Sequence, residues 1–139
     1  MKPILFLDTN VIMDLISERH PFYLDIARIA TLSETGDIEI VASALSFVTS
    51  SYFLTKYEGA TIAKEKLRKL RIICPAIALD ESIIDKGLNS NYTDIEHAFQ
   101  YYSALSSKAN FIITRNAKDF KKSEIIIMSP SEFLNTLKK

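Results

Sequence analysis

Short apolar runs alternate along the chain with longer stretches whose apolar positions recur every three or four residues. The first run, "ILFL" at residues 4–7, has no polar member and reads as a strand buried on both faces. Val11 with Leu15 and Ile12 with Ile16 then set a helical period over residues 10–17. His20, Pro21 and Phe22 break it, and a second amphipathic helix is predicted over 24–34, stopped by Gly36. "IEIVA" (38–42) reads as a strand, and residues 43–57 as a helix with Ser43 as N-cap. Gly59 separates that helix from another over 60–70, and "IICPAIAL" (72–79) reads as a short strand and turn. Asp80 caps a helix carrying Ile83, Ile84 and Leu88. Thr93 opens the next, which runs to Ser107, with Thr93 and Glu96 spaced as a capping box. "FIIT" (111–114) and "EIIIM" (124–128) are strands, and Pro130 starts a last helix over 131–139.

Apolar strands alternating with helices predict an α/β fold with a parallel sheet covered on both sides. There is no internal repeat and no low-complexity linker, so residues 1–139 read as a single domain. In such sheets ligands sit beyond the carboxyl ends of the strands. Asp8 stands at the end of the first strand, and Thr114, Arg115 and Asn116 at the end of "FIIT", with Asp119 shortly after. Two strand ends therefore bring polar groups to one edge.

The individual acids each have a plainer reading. Asp8 suits the cap of the helix that follows it. Asp14, four residues beyond Asn10, suits a solvated helix face as well as a site. Glu96 is accounted for by the capping box, and Asp94 favours the positive end of its helix. His97 lies three residues on, on the same face, where a single histidine is ordinarily a surface or core residue.

Composition narrows the class further. Lys plus Arg equal Asp plus Glu at 17 each, which excludes gross electrostatic capture of nucleic acid but leaves room for a local basic patch. Cys74 is the single cysteine, so an intrachain disulfide and a cysteine-based zinc site are excluded, in keeping with a reducing compartment. No apolar run approaches a membrane span, and the start "MKPILFLDTN" lacks a signal-peptide layout. The expectation is a cytoplasmic protein, intact from Met1.

"LDTNVIMDL" near the start, "NYTDIEHAFQYYSAL" (91–105) and "FIITRNAKDF" (111–120) together resemble the PIN domain family, in order and spacing over almost the whole chain. The resemblance implies a three-layer α/β/α sandwich with a central parallel sheet. It also implies a metal-dependent ribonuclease, and often the VapC-like toxin of a toxin–antitoxin pair, neutralised by a small antitoxin and forming a homodimer. By the same resemblance Asp8 is the first acid of the site, with Asn10 as companion, and Asn116 and Asp119 form the last element. The second acid falls at Thr49, where this chain has none, and His97 stands where a carboxylate precedes Ala98. The implied catalytic residues are Asp8, Asp94 and Asp119. The implied ligands of one or two weakly bound Mg²⁺ or Mn²⁺ ions are Asp8, Asp94, His97, Asn116 and Asp119. Thr9, Asn10, Glu96 and Thr114 would support the site.

Such ions prefer oxygen ligands, and in phosphodiester cleavage they activate water and stabilise charge on phosphoryl oxygens. An imidazole at position 97 shifts the preference toward softer ions. Arg115 and Lys118 flank the acids and are expected to contact RNA. Lys64, Lys66, Arg68, Lys69 and Arg71 share one helix, which reads as a phosphate track or, with Glu65 interleaved, as a solvated face. Tyr52, Phe53, Tyr101 and Tyr102 read as stacking platforms, core or a dimer surface. The alternative to a nuclease is a catalytically weakened PIN fold that binds RNA or a protein. A phosphatase with Asp8 as nucleophile is disfavoured, because Asn10 stands where a second aspartate is usual.

Overall fold

The computed structural model describes residues 2–138. Five strands, β1 (Ile4–Leu7), β2 (Glu39–Ser43), β3 (Ala76–Ile77), β4 (Phe111–Ile113) and β5 (Ile126–Met128), form one parallel sheet in the order β3-β2-β1-β4-β5. Side chains along each strand alternate between the two faces, so a strand without polar positions must be covered twice. Leu5, Leu7, Ile40 and Ala42 enter one core cluster with Val11, Ile12, Ile26, Leu70 and Phe133. Phe6, Val41 and Ile112 enter the other, with Tyr101, Ala104 and Phe120. The expected α/β/α layering follows directly from that alternation.

The helices are α1 (Thr9–Ile16), α2 (Tyr23–Glu34), α3 (Ala44–Glu58), α4 (Ala60–Ile73), α5 (Glu81–Leu88), α6 (Ile95–Ser106) and α7 (Pro130–Thr136), with a 3₁₀ turn at Ala117–Phe120. Ser43 caps α3 by accepting from the Ser46 amide, and Asp80 caps α5 by accepting from Ile83. Ser129 and Glu132 close a reciprocal capping box at the start of α7.

Three expectations need correction. The helix predicted to end at Leu70 continues to Ile73, and of the short strand and turn expected over 72–79 only Ala76–Ile77 is strand. Leu70 and Ile73 both pack into the core at helical spacing, and Pro75 forces Cys74 into the extended conformation that stops the helix. The capping box at Thr93 does not form. Asp94 is the N-cap of α6 and accepts from the amides of Glu96 and His97, a role its carboxylate fills more strongly than a threonine hydroxyl. The last helix ends at Thr136 rather than running on, and Lys139 lies outside the described residues. No described helix is long and apolar enough to cross a membrane.

A candidate functional site at the sheet edge

The strand order reverses between β1 and β4, and in doubly wound sheets such a switch point is where a crevice opens. Leu7 is paired with Ile113, so the next residues, Asp8 and Thr114, emerge side by side. The Asp8 amide still donates to the Ile113 carbonyl at 3.0 Å. Its carboxylate, in a residue 5% exposed, turns into a network of neutral donors. Oδ1 accepts from the Thr9 amide at 2.9 Å and from Gln100 Nε2 at 3.1 Å. Oδ2 accepts from the Thr114 hydroxyl at 2.9 Å. Asp8 is thus the N-cap of α1 and the strand-end acid at once.

The network spreads over four elements. Asn10 Nδ2 donates to Thr114 Oγ1 at 3.1 Å, and Asn10 Oδ1 accepts from the Arg115 amide at 3.3 Å. The Thr9 and Ser46 hydroxyls share a hydrogen at 2.8 Å, and Gln100 Nε2 also donates to Ser46 Oγ at 2.8 Å. Ser43 Oγ donates to Gln100 Oε1. Gln100, Ser43 and Ser46 are all fully or almost fully buried, and sequence reasoning missed their part in the site. The one visible signal was Gln100, a polar residue at the core-facing spacing of Ala98, Tyr101 and Ala104 on α6. On α3, Ser46 is the side chain that reaches this network, one turn before the position expected to lack an acid, Thr49.

Asp14 is neither solvated nor part of that network. It is 1% exposed and lies between two guanidinium groups, Arg19 Nε at 2.9 Å and Arg115 Nε at 2.7 Å. Arg115 also stacks over the Phe22 ring at 4.0 Å, and Arg19 reaches the Asn10 carbonyl at 3.1 Å. The expected RNA contact at Arg115 is therefore a guanidinium already engaged by an aspartate and an aromatic ring. Lys118 is exposed and makes no ion pair among the described residues.

One turn before Gln100 on α6, His97 stands between two acids. Its Nδ1 lies 3.3 Å from Asp94 Oδ2 and its Nε2 3.4 Å from Asp119 Oδ2, with the Phe120 ring edge-on beside it. Glu96 points to solvent. Asp94, His97 and Asp119 border an open groove of about 590 Å³, which Tyr92, Tyr102, Lys118, Lys121 and Lys122 also line. Among the described residues the Tyr92 hydroxyl has no hydrogen-bond partner, and burial, then the neighbouring Tyr101 and Tyr102, push its pKa up to about 12. Tyr101 itself is core, its hydroxyl accepting from the Glu124 amide at 3.1 Å. Tyr52 and Phe53 lie on the outer surface of α3.

The five expected metal ligands thus divide. Asp8 sits with Thr9, Asn10 and Thr114; Asp94 and Asp119 sit on either side of His97; Asn116 is exposed and joins through its backbone amide, which donates to Thr114 Oγ1 at 3.1 Å. Among the described residues no group of three or more His, Cys, Asp or Glu side chains is placed to hold a metal ion. The reason is geometric. A carboxylate offers about four lone-pair directions, and three hydrogen bonds occupy most of those on Asp8. The two ring nitrogens of His97 point to opposite sides, so the acids they hold cannot converge on one ion with either nitrogen. As arranged, the residues do not fit a divalent cation held by several carboxylates.

A family model described as "PIN domain" matches residues 5–118. Among curated proteins no sequence matches the chain. Solved structures share the fold at low identity. The VapBC2 complex of Rickettsia felis, bound to a DNA fragment from its promoter, aligns with a TM-score of 0.68 and 16% identity, covering 91% of this chain and 98% of that one. A toxin–antitoxin complex from Klebsiella pneumoniae aligns with a TM-score of 0.67 and 20% identity, covering 91% and 97%. VapC20 of Mycobacterium tuberculosis, a toxin that cleaves the sarcin–ricin loop, aligns with a TM-score of 0.61 and 9% identity, covering 78% and 86%. With the matched model spanning most of its length, this chain belongs to the PIN domain family.

Proposed function

We propose that the chain is the toxin-type member of a cytoplasmic toxin–antitoxin pair. Its substrate is RNA, and its Mg²⁺- or Mn²⁺-dependent endoribonuclease activity is weak. Family membership and the likeness to toxins of known complexes support the class. The observation that carries the site is Asp8, a buried carboxylate at the sheet's switch point that receives only neutral hydrogen bonds. A buried charge without a counter-ion favours the arrival of a cation. The chain's own part is to hold Asp8 still through Gln100 and Thr114 and to present Lys118 to a phosphate backbone. A small antitoxin as protein partner and a homodimer complete this reading.

A second reading has its own observation. His97 keeps Asp94 and Asp119 on opposite sides, which favours a PIN fold that binds RNA without cutting it. Incubation of labelled RNA with Mn²⁺ separates the two. Slow cleavage that Asp8→Asn abolishes supports the first; retention of RNA on the protein with no cleavage supports the second. Absence of both RNA binding and cleavage overturns the RNA assignment.

A further inference from the structure

Helix α4 separates two grooves, and they differ in charge. Residues two apart on a helix lie about 200° around its axis, so Lys66, Lys69 and Ile73 face one way and Lys64, Leu67 and Arg71 the other. On the first side the cleft between α1, α2 and α4 mixes signs: Lys66 and Lys69 stand with Glu18 and Glu34, and Lys66 is tied to Glu58 at 2.6 Å. On the second side a groove of about 520 Å³ runs between α3, α4 and β3. Its floor is apolar, made by Ala44, Phe47, Leu67 and Ala76, and among the described residues its only charged lining residues are Lys64, Arg68 and Arg71. All three cations are exposed, and none makes an ion pair among the described residues.

The apolar surface also extends beyond the floor. Val48, one turn after Ala44 on α3, is 65% exposed, and Ile72, one turn after Arg68 on α4, is 82% exposed. Scattered exposed apolar residues are ordinary, but these two lie one helical turn from residues that line an apolar groove floor, and larger apolar patches mark surfaces that bind. The groove lies at the sheet's edge strand, β3, on the opposite face of α4 from the mixed-charge cleft.

We propose that this groove docks an acidic amphipathic helix of a partner protein. The apolar face of such a helix covers Phe47 and Leu67, and its carboxylates meet Lys64, Arg68 and Arg71, which rise from α4 at i, i+4 and i+7. Charge complementarity selects this occupant: three cations with no acid among them face a floor that offers nothing polar to a phosphate or a sugar. A nucleic acid would use the cations and leave the apolar floor bare, whereas an amphipathic helix uses both. The inference is independent of the ribonuclease reading, because it involves no residue of the Asp8 edge.

The test is fluorescence polarisation with three labelled probes: a designed helix with one leucine face and one glutamate face, the same design with lysine for glutamate, and polyuridylate. The glutamate helix is expected to bind the wild-type chain in a salt-sensitive manner, at least about tenfold more tightly than the lysine helix. Arg68→Glu/Arg71→Glu should lower its affinity about tenfold or more, and Leu67→Ser should lower it without changing the salt dependence. Lys66→Gln/Lys69→Gln, on the other face of α4, should leave it unchanged. Circular dichroism checks that each variant is folded, and the milder Arg68→Gln/Arg71→Gln replaces the reversal if it is not. Equal binding of the two helices, or equal binding by wild type and the Arg68/Arg71 variant, overturns the proposal. Loss of polyuridylate binding in that variant without any glutamate-helix binding to wild type overturns it as well, and assigns the cations to nucleic acid.

Discussion

Asp8 and Asp14 are six residues apart, both belong to the start and body of α1, and both are almost completely buried. Their surroundings are opposite in kind. Asp14 has two guanidinium partners, so its charge is balanced where it lies. Asp8 has the Thr9 amide, Gln100 and Thr114, dipoles that orient a negative charge without cancelling it. A buried acid with its counter-ions is a structural device that joins α1 to the loop after it and to the end of β4. A buried acid held only by neutral donors, at the switch point of a parallel sheet, keeps an uncompensated charge. What counts is which partners surround an acid, and burial alone does not tell the two apart.

The largest predicted effect removes the balance at Asp14. Arg19→Met/Arg115→Met leaves a carboxylate buried without a cation, and urea unfolding should show a loss of about 3–5 kcal/mol. A loss below about 1 kcal/mol would mean that this pair behaves as a surface ion pair and that the contrast with Asp8 fails. Next comes Gln100→Leu, which strips a donor from Asp8 and Ser46 and an acceptor from Ser43. The same measurement should show a loss of about 1–3 kcal/mol. Asp8→Asn keeps the shape and removes the unbalanced charge, so stability should change by less than about 1 kcal/mol. A loss there as large as at Asp14 would make Asp8 a structural residue too.

The smallest effect lies in the groove beside His97. The Tyr92 hydroxyl is pushed up to about 12 from an ordinary 10.0. The folded state therefore holds that proton more tightly than the unfolded chain. The resulting stabilisation is complete below the ordinary tyrosine value and is lost as pH rises from 10.0 toward about 12. Ultraviolet titration of wild type against Tyr92→Phe should show one tyrosine ionising later than the exposed ones. Identical high-pH limbs in the two proteins would contradict the sealed hydroxyl.

Much of the fold was legible because strands without polar positions leave few alternatives. "ILFL" and "FII" fit between two helical layers and nowhere else, and Ser43, Asp80 and Pro130 mark helix starts by well-understood hydrogen bonding and backbone limits. The extra turn of α4 was not legible, because Ile72 and Ile73 suit a strand as well as a helix and only packing decides between them. At the site, the sequence pointed to Asp8, Asn10 and Thr114, since strand ends are readable from the pattern. It did not show that Asp14 takes two arginines, one of them about a hundred residues away, or that Gln100 joins α6 to β1. Those pairings depend on tertiary contacts that no local period records. Nor did it show that His97 would divide the two acids it was expected to join.

His97 holds Asp94 and Asp119 on opposite sides of its ring, and we propose that this leaves a metal site beside Asp8 incompletely assembled. Calorimetric titration of Mn²⁺ into wild type and His97→Asp tests it most directly. Position 97 lies on the partly exposed edge of α6, so the variant should remain folded. Weak binding, or none that saturates, is expected in wild type, and at least about tenfold tighter binding in His97→Asp, because oxygen ligands and their summed charge set the affinity of such ions. Wild type binding Mn²⁺ as tightly as His97→Asp would contradict it.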